Sequence, residues 1–407
     1  MTNMEGSAEA DKTRLRSVGL SRLRWREALS AYVFILPAFL VLVVFRLYPV
    51  ASAFYISLHK WGIIKEYYVA LQNYIALFTD PDFGQSFTVT LFYVIATVPF
   101  TMAISLLFAY LLFQKIRFRS FFRTLFFLPY VTSLVPAAIA WEWIFNYQAG
   151  ILNFVLKNIG GFLSRLLIFL GREPQIYFWI GLAALWLAYL VISRRRRSVV
   201  ATAILCFFAA GLLALGLLFR TSPVALEVVS RELAGFFPVK WLQEPRGIIL
   251  YLGQRWGFQP PPWAHGPSMA LIAVSIVSIW HFLGYDVVIY LAGLSNIPTE
   301  FYEAARIDGA NEGQLFWKIT LPLLSPTTYF LLIISTIGAF RAFTLFFVMT
   351  GGGPLNTTTS VAYFVFDRFW NAIRAGYASA AAFVLLLIIL VLTIIQQRAL
   401  GRYVTYQ

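Results

Sequence analysis

EAARIDGANEGQLFWKITLPLLSP, residues Glu303–Pro326, separates two long apolar runs, Met269–Leu291 and Thr327–Met349. The segment is too polar to lie in hydrocarbon and too strongly patterned for an irregular loop. Pro298 and Thr299 precede acidic residues at Glu300 and Glu303, a helix-start pattern favoured by the positive end of the helix dipole. Gly309 permits the positive φ that would end this helix after about two and a half turns. A second helix is expected from Asn311 to Thr320, with Pro322 breaking it before the next apolar run. The product is a helix–turn–helix bracket projecting from a membrane. The small side chains of Ala304 and Ala305 leave room on it for the backbone of another protein.

The surrounding chain demands lipid. Of 407 residues, 60% are hydrophobic and 12% charged, against about a quarter charged in a soluble domain. Apolar runs of the roughly 20 residues needed to cross a bilayer fall near Ala31–Leu58, Phe87–Phe113, Leu125–Phe145, Gln175–Ser193, Val199–Phe219, Met269–Leu291, Thr327–Met349 and Tyr377–Ile395. None alternates polar with apolar positions, so these are helices and not barrel strands. The chain reads as an all-α polytopic membrane protein with about eight transmembrane helices. Ala51-Ser52-Ala53 has the form of a signal-peptide cleavage site, but the long apolar run and the thirty or so residues ahead of it favour an uncleaved span.

The net charge of +14 is topological. With both termini inside, the inner face holds Lys12 and five arginines between Arg14 and Arg26. It also holds Lys115, Arg117, Arg119 and Arg123, the short turn Arg194–Arg197, and Arg398 and Arg402. Short loops dense in Lys and Arg resist translocation, which fixes this orientation. No folded basic domain surrounds the Arg194 run, so a nucleic-acid partner is not expected. Residues 1–30 form a basic arm: from residue 14 an interfacial helix on lipid headgroups is expected through Leu15, Val18, Leu23 and Trp25, while residues 1–13 suit a disordered basic tail equally well. Cys206 is the sole cysteine, and His59, His265 and His281 lie far apart with no metal spacing. No metal site, cofactor or catalytic residue is therefore expected.

The spacing E-A-A, three residues, G, nine residues, I-x-L-P is met by Glu303, Ala304, Ala305, Gly309, Ile319, Leu321 and Pro322. It resembles the signature loop of ABC importer permeases, the membrane subunits of binding-protein-dependent uptake systems. QNYIALFTDPDF (Gln72–Phe83), LPYVTSLVPAAIAWEWIFN (Leu128–Asn146), YLAGLSNIP (Tyr290–Pro298), TGGGPLNTTT (Thr350–Thr359) and GYASA (Gly376–Ala380) are similar to the carbohydrate subgroup, the maltose and glycerol-phosphate type. The resemblance implies a six-helix type I ABC importer permease core. Residues 31–160 would supply its first three spans and 268–405 its last three, with the ATPase-coupling loop at 298–326. Residues 161–267 depart from the pattern, as an insertion with two extra spans and an external loop. The resemblance further implies an ABC ATPase dimer that docks on Glu303, Ala304, Ala305, Asp308, Gly309, Ile319, Leu321 and Pro322. A second permease, an extracytoplasmic solute-binding protein and the inner membrane of a prokaryote complete the expectation. No GxxxxGK[ST] loop is present, so ATP hydrolysis would fall to the partner.

Ionisable residues within spans are functional suspects: Arg46, Glu142, Asp286 and Arg341. They also balance as two structural charge pairs, and Arg341 either faces an anionic group of the substrate or neutralises Asp286. Sugar sites combine aromatic faces with hydrogen-bonding groups, which selects Trp280, His281, Asp286, Ser335 and Arg341 as the expected lining of a substrate pathway. Gly284 marks a possible helix break beside them. A secondary transporter or a polytopic membrane enzyme is the alternative. The first would carry an inverted repeat and the second paired carboxylates or a His cluster at an interface.

Overall fold

The computed structural model describes residues 25, 27–114, 118–172, 239–255 and 266–401. Most of the basic arm, the expected spans Gln175–Ser193 and Val199–Phe219, and the Arg194–Arg197 turn lie outside the described residues. Among the described residues the only strands are an antiparallel hairpin of β1 (His59–Trp61) and β2 (Lys65–Tyr68). Everything else is helix or connection, in keeping with the all-α expectation.

Among the described residues, four helices are long and apolar enough to cross a bilayer: α1 (Glu27–Ser57), α3 (Pro81–Phe113), α8 (Met269–Ser295) and α14 (Ala375–Leu400). Two sharply bent pairs raise the number to six: α4 (Arg119–Val131) with α5 (Leu134–Ile144), and α10 (Glu312–Leu323) with α11 (Ser325–Phe340). Shorter helices are α2 (Gln72–Thr79), α6 (Ile151–Arg172), α7 (Ile248–Arg255), α9 (Thr299–Ile307), α12 (Thr344–Met349) and α13 (Val361–Phe366).

Four expectations need correction. The run Leu125–Phe145 is not one straight span. Thr132 and Ser133 are extended, and the axis turns by 98° between α4 and α5. Thr327–Met349 is likewise interrupted, because α11 stops at Phe340 and α12 starts at Thr344, which leaves Arg341 in the connection. Pro322 does not break the second bracket helix. A π-turn over Phe316–Thr320, in which the Leu321 N–H donates to Phe316 O, carries the helix past it, and the 62° bend falls at Leu324. Such widened turns relieve the clash of a proline ring with the preceding carbonyls. Finally, Gly284 breaks nothing. α8 is continuous, and the glycine instead lets α4 cross at contact distance, since a Cβ there would stand 1.9 Å from Phe126 O.

The described residues fall into two compact units, Met1–Phe83 with Phe364–Leu390 and Gly84–Tyr363 with Val391–Gln407. In the first, Asn73 Nδ2 donates to Ser57 O (2.8 Å) and His59 O (3.0 Å), tying the hairpin to the end of α1. Arg368 pairs with Asp82, and Tyr377 OH donates to Asp80 Oδ2 at 2.6 Å. The second unit is organised around α8, whose N-terminus is capped by Ser268. Leu271, Ala273, Val274 and Val277 on its first turns pack with Val89 and Tyr93 of α3, Ala138 of α5, Phe145, and Leu345, Phe346 and Met349 of α12.

Candidate functional site

The bracket forms as the spacing predicts, with added detail at its turn. α9 spans Thr299–Ile307 with Glu300 in its first turn; Glu303 lies one turn further in. Gly309 has φ +84°. Its N–H donates to Arg306 O (3.1 Å) and the Ala310 N–H to Ala305 O (2.9 Å), the paired bonds of a Schellman closure. The next helix begins at once with a capping box: the Gln314 N–H donates to Asn311 Oδ1 and the Asn311 N–H to Gln314 Oε1, both at 2.9 Å. Tyr302 OH and Thr320 Oγ1 (3.1 Å) bridge the two helices. Backbone needs at the turn are thus met locally, and the bracket keeps its shape without a partner.

Glu303, Ala304, Asp308, Gly309 and Pro322 are exposed, and Ala305, Ile319 and Leu321 half-buried. Arg306 pairs with Glu312 at 3.2 Å, leaving Glu303 with no charge partner among the described residues. Sequence reasoning missed the apolar part of this surface: Ile307 is 86% and Trp317 68% exposed. Ile307 is three residues after Ala304 and four after Glu303, on the same helix face, a spacing that could have found it.

Between the helices lies a cavity of about 340 Å3. α3 contributes Tyr93 and Thr97, α4 Tyr130, α8 Ser278, Tyr285 and Asp286, and α11 Ser335, with Arg341 and Phe343 following it. Asp286, Ser335 and Arg341, three of the five residues singled out, are brought together. Trp280 and His281 are not. His281 is buried against Tyr130 and Phe282, and Trp280 packs edge-on against Trp141. The expected charge pairing does not form either, since no ion pair joins any of Arg46, Glu142, Asp286 and Arg341 among the described residues. Asp286 is 1% exposed and its Oδ2 lacks a hydrogen-bond partner among the described residues.

The missed wall of the cavity had a signal. Thr90, Tyr93, Thr97, Thr101 and Ser105 recur at three- and four-residue spacing through an otherwise apolar span. All five are buried on one stripe of α3. Tyr93 OH donates to Ser278 Oγ at 2.6 Å and Ser105 Oγ to Leu283 O at 3.0 Å, so the stripe faces α8. No group of His, Cys, Asp and Glu suited to a metal occurs among the described residues.

The family model for binding-protein-dependent transport system inner membrane components matches residues 182–403. The chain is 27% identical over 385 residues to the trehalose/maltose transport system permease protein MalF of Thermococcus litoralis, covering 94% of this chain and 97% of that protein. It is 25% identical over 391 residues to the sn-glycerol-3-phosphate transport system permease protein UgpA of Pectobacterium atrosepticum, covering 95% and 99%. Among solved structures it is similar to a chain of a bacterial ABC transporter involved in import of the acidic polysaccharide alginate. The TM-score is 0.62 at 17% identity, covering 94% of this chain and 98% of that one.

Proposed function

We propose that this chain, which belongs to the family of binding-protein-dependent transport system inner membrane components, is the permease of an ATP-driven ABC importer for a sugar or related solute. The observation that carries the reading is a direct mechanical connection. α8 and α11 both line the cavity. The bracket is the chain between them: α8 ends at Ser295, α9 starts at Thr299, α10 runs to Leu323 and α11 begins at Ser325. A force on the bracket therefore acts on two walls of the cavity. Rigid elements joined in this way can convert closure of an attached ATPase dimer into alternating access.

In this reading Glu303 supplies the charge that an ATPase cleft pairs, and Ala304 and Ala305 allow close approach. Ile307 and Trp317 add apolar contact, and the Gly309 closure keeps the bracket stiff. A second permease completes the pathway, and an extracytoplasmic binding protein delivers the solute. Both termini face the cytoplasm. Relatives named for trehalose/maltose and for sn-glycerol-3-phosphate transport support the substrate class, as does a cavity combining tyrosines with Ser278, Ser335 and Asp286.

The test is uptake by the assembled transporter in membrane vesicles. Glu303→Lys reverses the docking charge. Gly309→Pro removes the N–H that bonds Arg306 O and forces φ from +84° to negative values. Both variants should insert at normal levels, fail to retain the ATPase on purification and lose ATP-driven uptake. Normal transport by both overturns the proposal.

A further inference from the structure

We infer that a second chamber, at the end of α8 opposite the bracket, is an outer binding site for a neutral polyhydroxylated solute, filled before the central cavity. The inference rests on the permease reading above. The chamber has a volume of about 330 Å3, at the lower end of the roughly 300–1,000 Å3 typical of small-molecule sites. Glu142, Asn146, Tyr147, Trp241, Gln243 and Thr350 supply its polar and aromatic wall.

Its position follows from α8. The first turns of α8 belong to the same buried cluster as Phe145 and Met349, which line this chamber, while the bracket follows the last turn. The 27 residues of α8 separate the two ends by about 40 Å at 1.5 Å per residue. The same cluster forms the partition between the chambers. Tyr93 and Leu345 face the central cavity and Phe145 and Met349 the outer one. Two compartments separated by an apolar partition are what stepwise passage requires.

The outer chamber is built and not a chance gap. Asn153 on α6 is 4% exposed, and its side chain joins the two walls. Its Nδ2 donates to Val239 O (3.0 Å), Asn146 O (3.3 Å) and Tyr147 O (3.3 Å). Its Oδ1 accepts from the Val239 N–H and from Trp241 Nε1, both at 3.1 Å. One amide thereby fixes the Trp241 ring against Phe145, with centroids 5.7 Å apart. A buried amide with this many bonds is costly to disturb. Among the described residues the lining includes one acidic side chain, Glu142, and no basic one; the neighbouring Lys240 lies over the Tyr147 ring at 5.5 Å. Flat aromatic faces, amides and a carboxylate suit the hydroxyls and C–H faces of a neutral sugar and oppose an anion.

The full transporter in nanodiscs, with Cys206→Ser, tests this through two single-cysteine variants: Gln243→Cys in the outer chamber and Ser335→Cys in the central one. The readout is the rate of modification by a small methanethiosulfonate reagent, with glucose, maltose, trehalose or sn-glycerol 3-phosphate at millimolar concentration. At least one neutral sugar should slow modification of Gln243→Cys several-fold, and glycerol 3-phosphate should not. Trp241→Ala should remove the protection. Trp241→Phe, which keeps an aromatic face but loses the bond to Asn153, should retain part of it and guards against mere misfolding. Protection at Ser335→Cys alone overturns the outer site and leaves the permease reading standing. Protection of Gln243→Cys by glycerol 3-phosphate overturns the neutral-solute assignment. Protection at neither position removes this inference, and the permease reading is then judged by the bracket variants.

Discussion

At Gly284 the absence of a methyl group lets two helices cross. A Cβ on that residue would meet Phe126 O at 1.9 Å and the Phe127 Cα at 2.9 Å. Both neighbours are backbone, so no rotamer change can relieve the clash. Overpacking a buried contact costs about 1–3 kcal/mol and sometimes more, and here a whole helix would have to move. Gly284→Ala should therefore lower stability by about 3 kcal/mol or more, and Gly284→Val should prevent folding. Gly161→Ala is the matched control: a Cβ at Gly161, inside α6, meets nothing within 4 Å. It should be neutral or stabilising by up to about 1 kcal/mol. Thermal unfolding of the purified variants in detergent decides the matter, and equal midpoints for the two alanine variants would refute the close crossing.

The elements differ in how far they were legible. The bracket was, because its determinants are local: a dipole-compatible start, a glycine at the one left-handed residue and a capping asparagine lie within fifteen residues of each other. The breaks were not. Mean hydropathy records that Leu125–Phe145 and Thr327–Met349 are apolar and nothing about direction. Thr132-Ser133 and Arg341 were the polar interruptions that marked the turns. The expected lining residues come together only in part for a related reason: Asp286 and Ser335 lie on the faces of α8 and α11 that meet, whereas Trp280 and His281 are on another side of α8. The segment around Glu244 illustrates a contact that sequence does not disclose. Glu244 is buried, and the Arg246 guanidinium, bonded to both its oxygens at 2.7 and 2.8 Å, holds its carboxyl below the usual range. A lowered folded value means stabilisation fully present above the unfolded value near 4.5 and lost as pH falls below it through the folded value. Amides of residues 239–255 should lose exchange protection on acidification through that window. Glu244→Gln should flatten the dependence; an unchanged pH profile in the variant would show that the pair does not hold the segment.

For the whole molecule the decisive quantity is sidedness, and the fold ties it to a single basic loop. α3 ends at Phe113, just before the Lys115–Arg123 cluster, and Tyr110 in its last turn packs edge-on against Phe316 of the bracket with centroids 4.8 Å apart. The end of α3, from which the sequence runs into this cluster, and the bracket therefore share one side. Four cationic residues within nine positions resist translocation, and on that ground we propose that the bracket side is the cytoplasm, where an ATPase could reach Glu303. The 27 residues of α8 then carry its other end across a hydrocarbon layer of about 30 Å. Thr350–Thr359 follows α12, whose Leu345, Phe346 and Met349 pack on that far end, which puts this loop outside in the proposed orientation. In a Cys206→Ser background, a cysteine at Ile307 should react with an impermeant maleimide only from the cytoplasmic face. A cysteine at Leu355, 79% exposed, should react only from the outer face. Both parent side chains are exposed, so neither substitution disturbs packing. Labelling of the two from the same side would contradict the span count between them, and exchange of the two sides would invert the orientation and remove the ATPase from reach of the bracket.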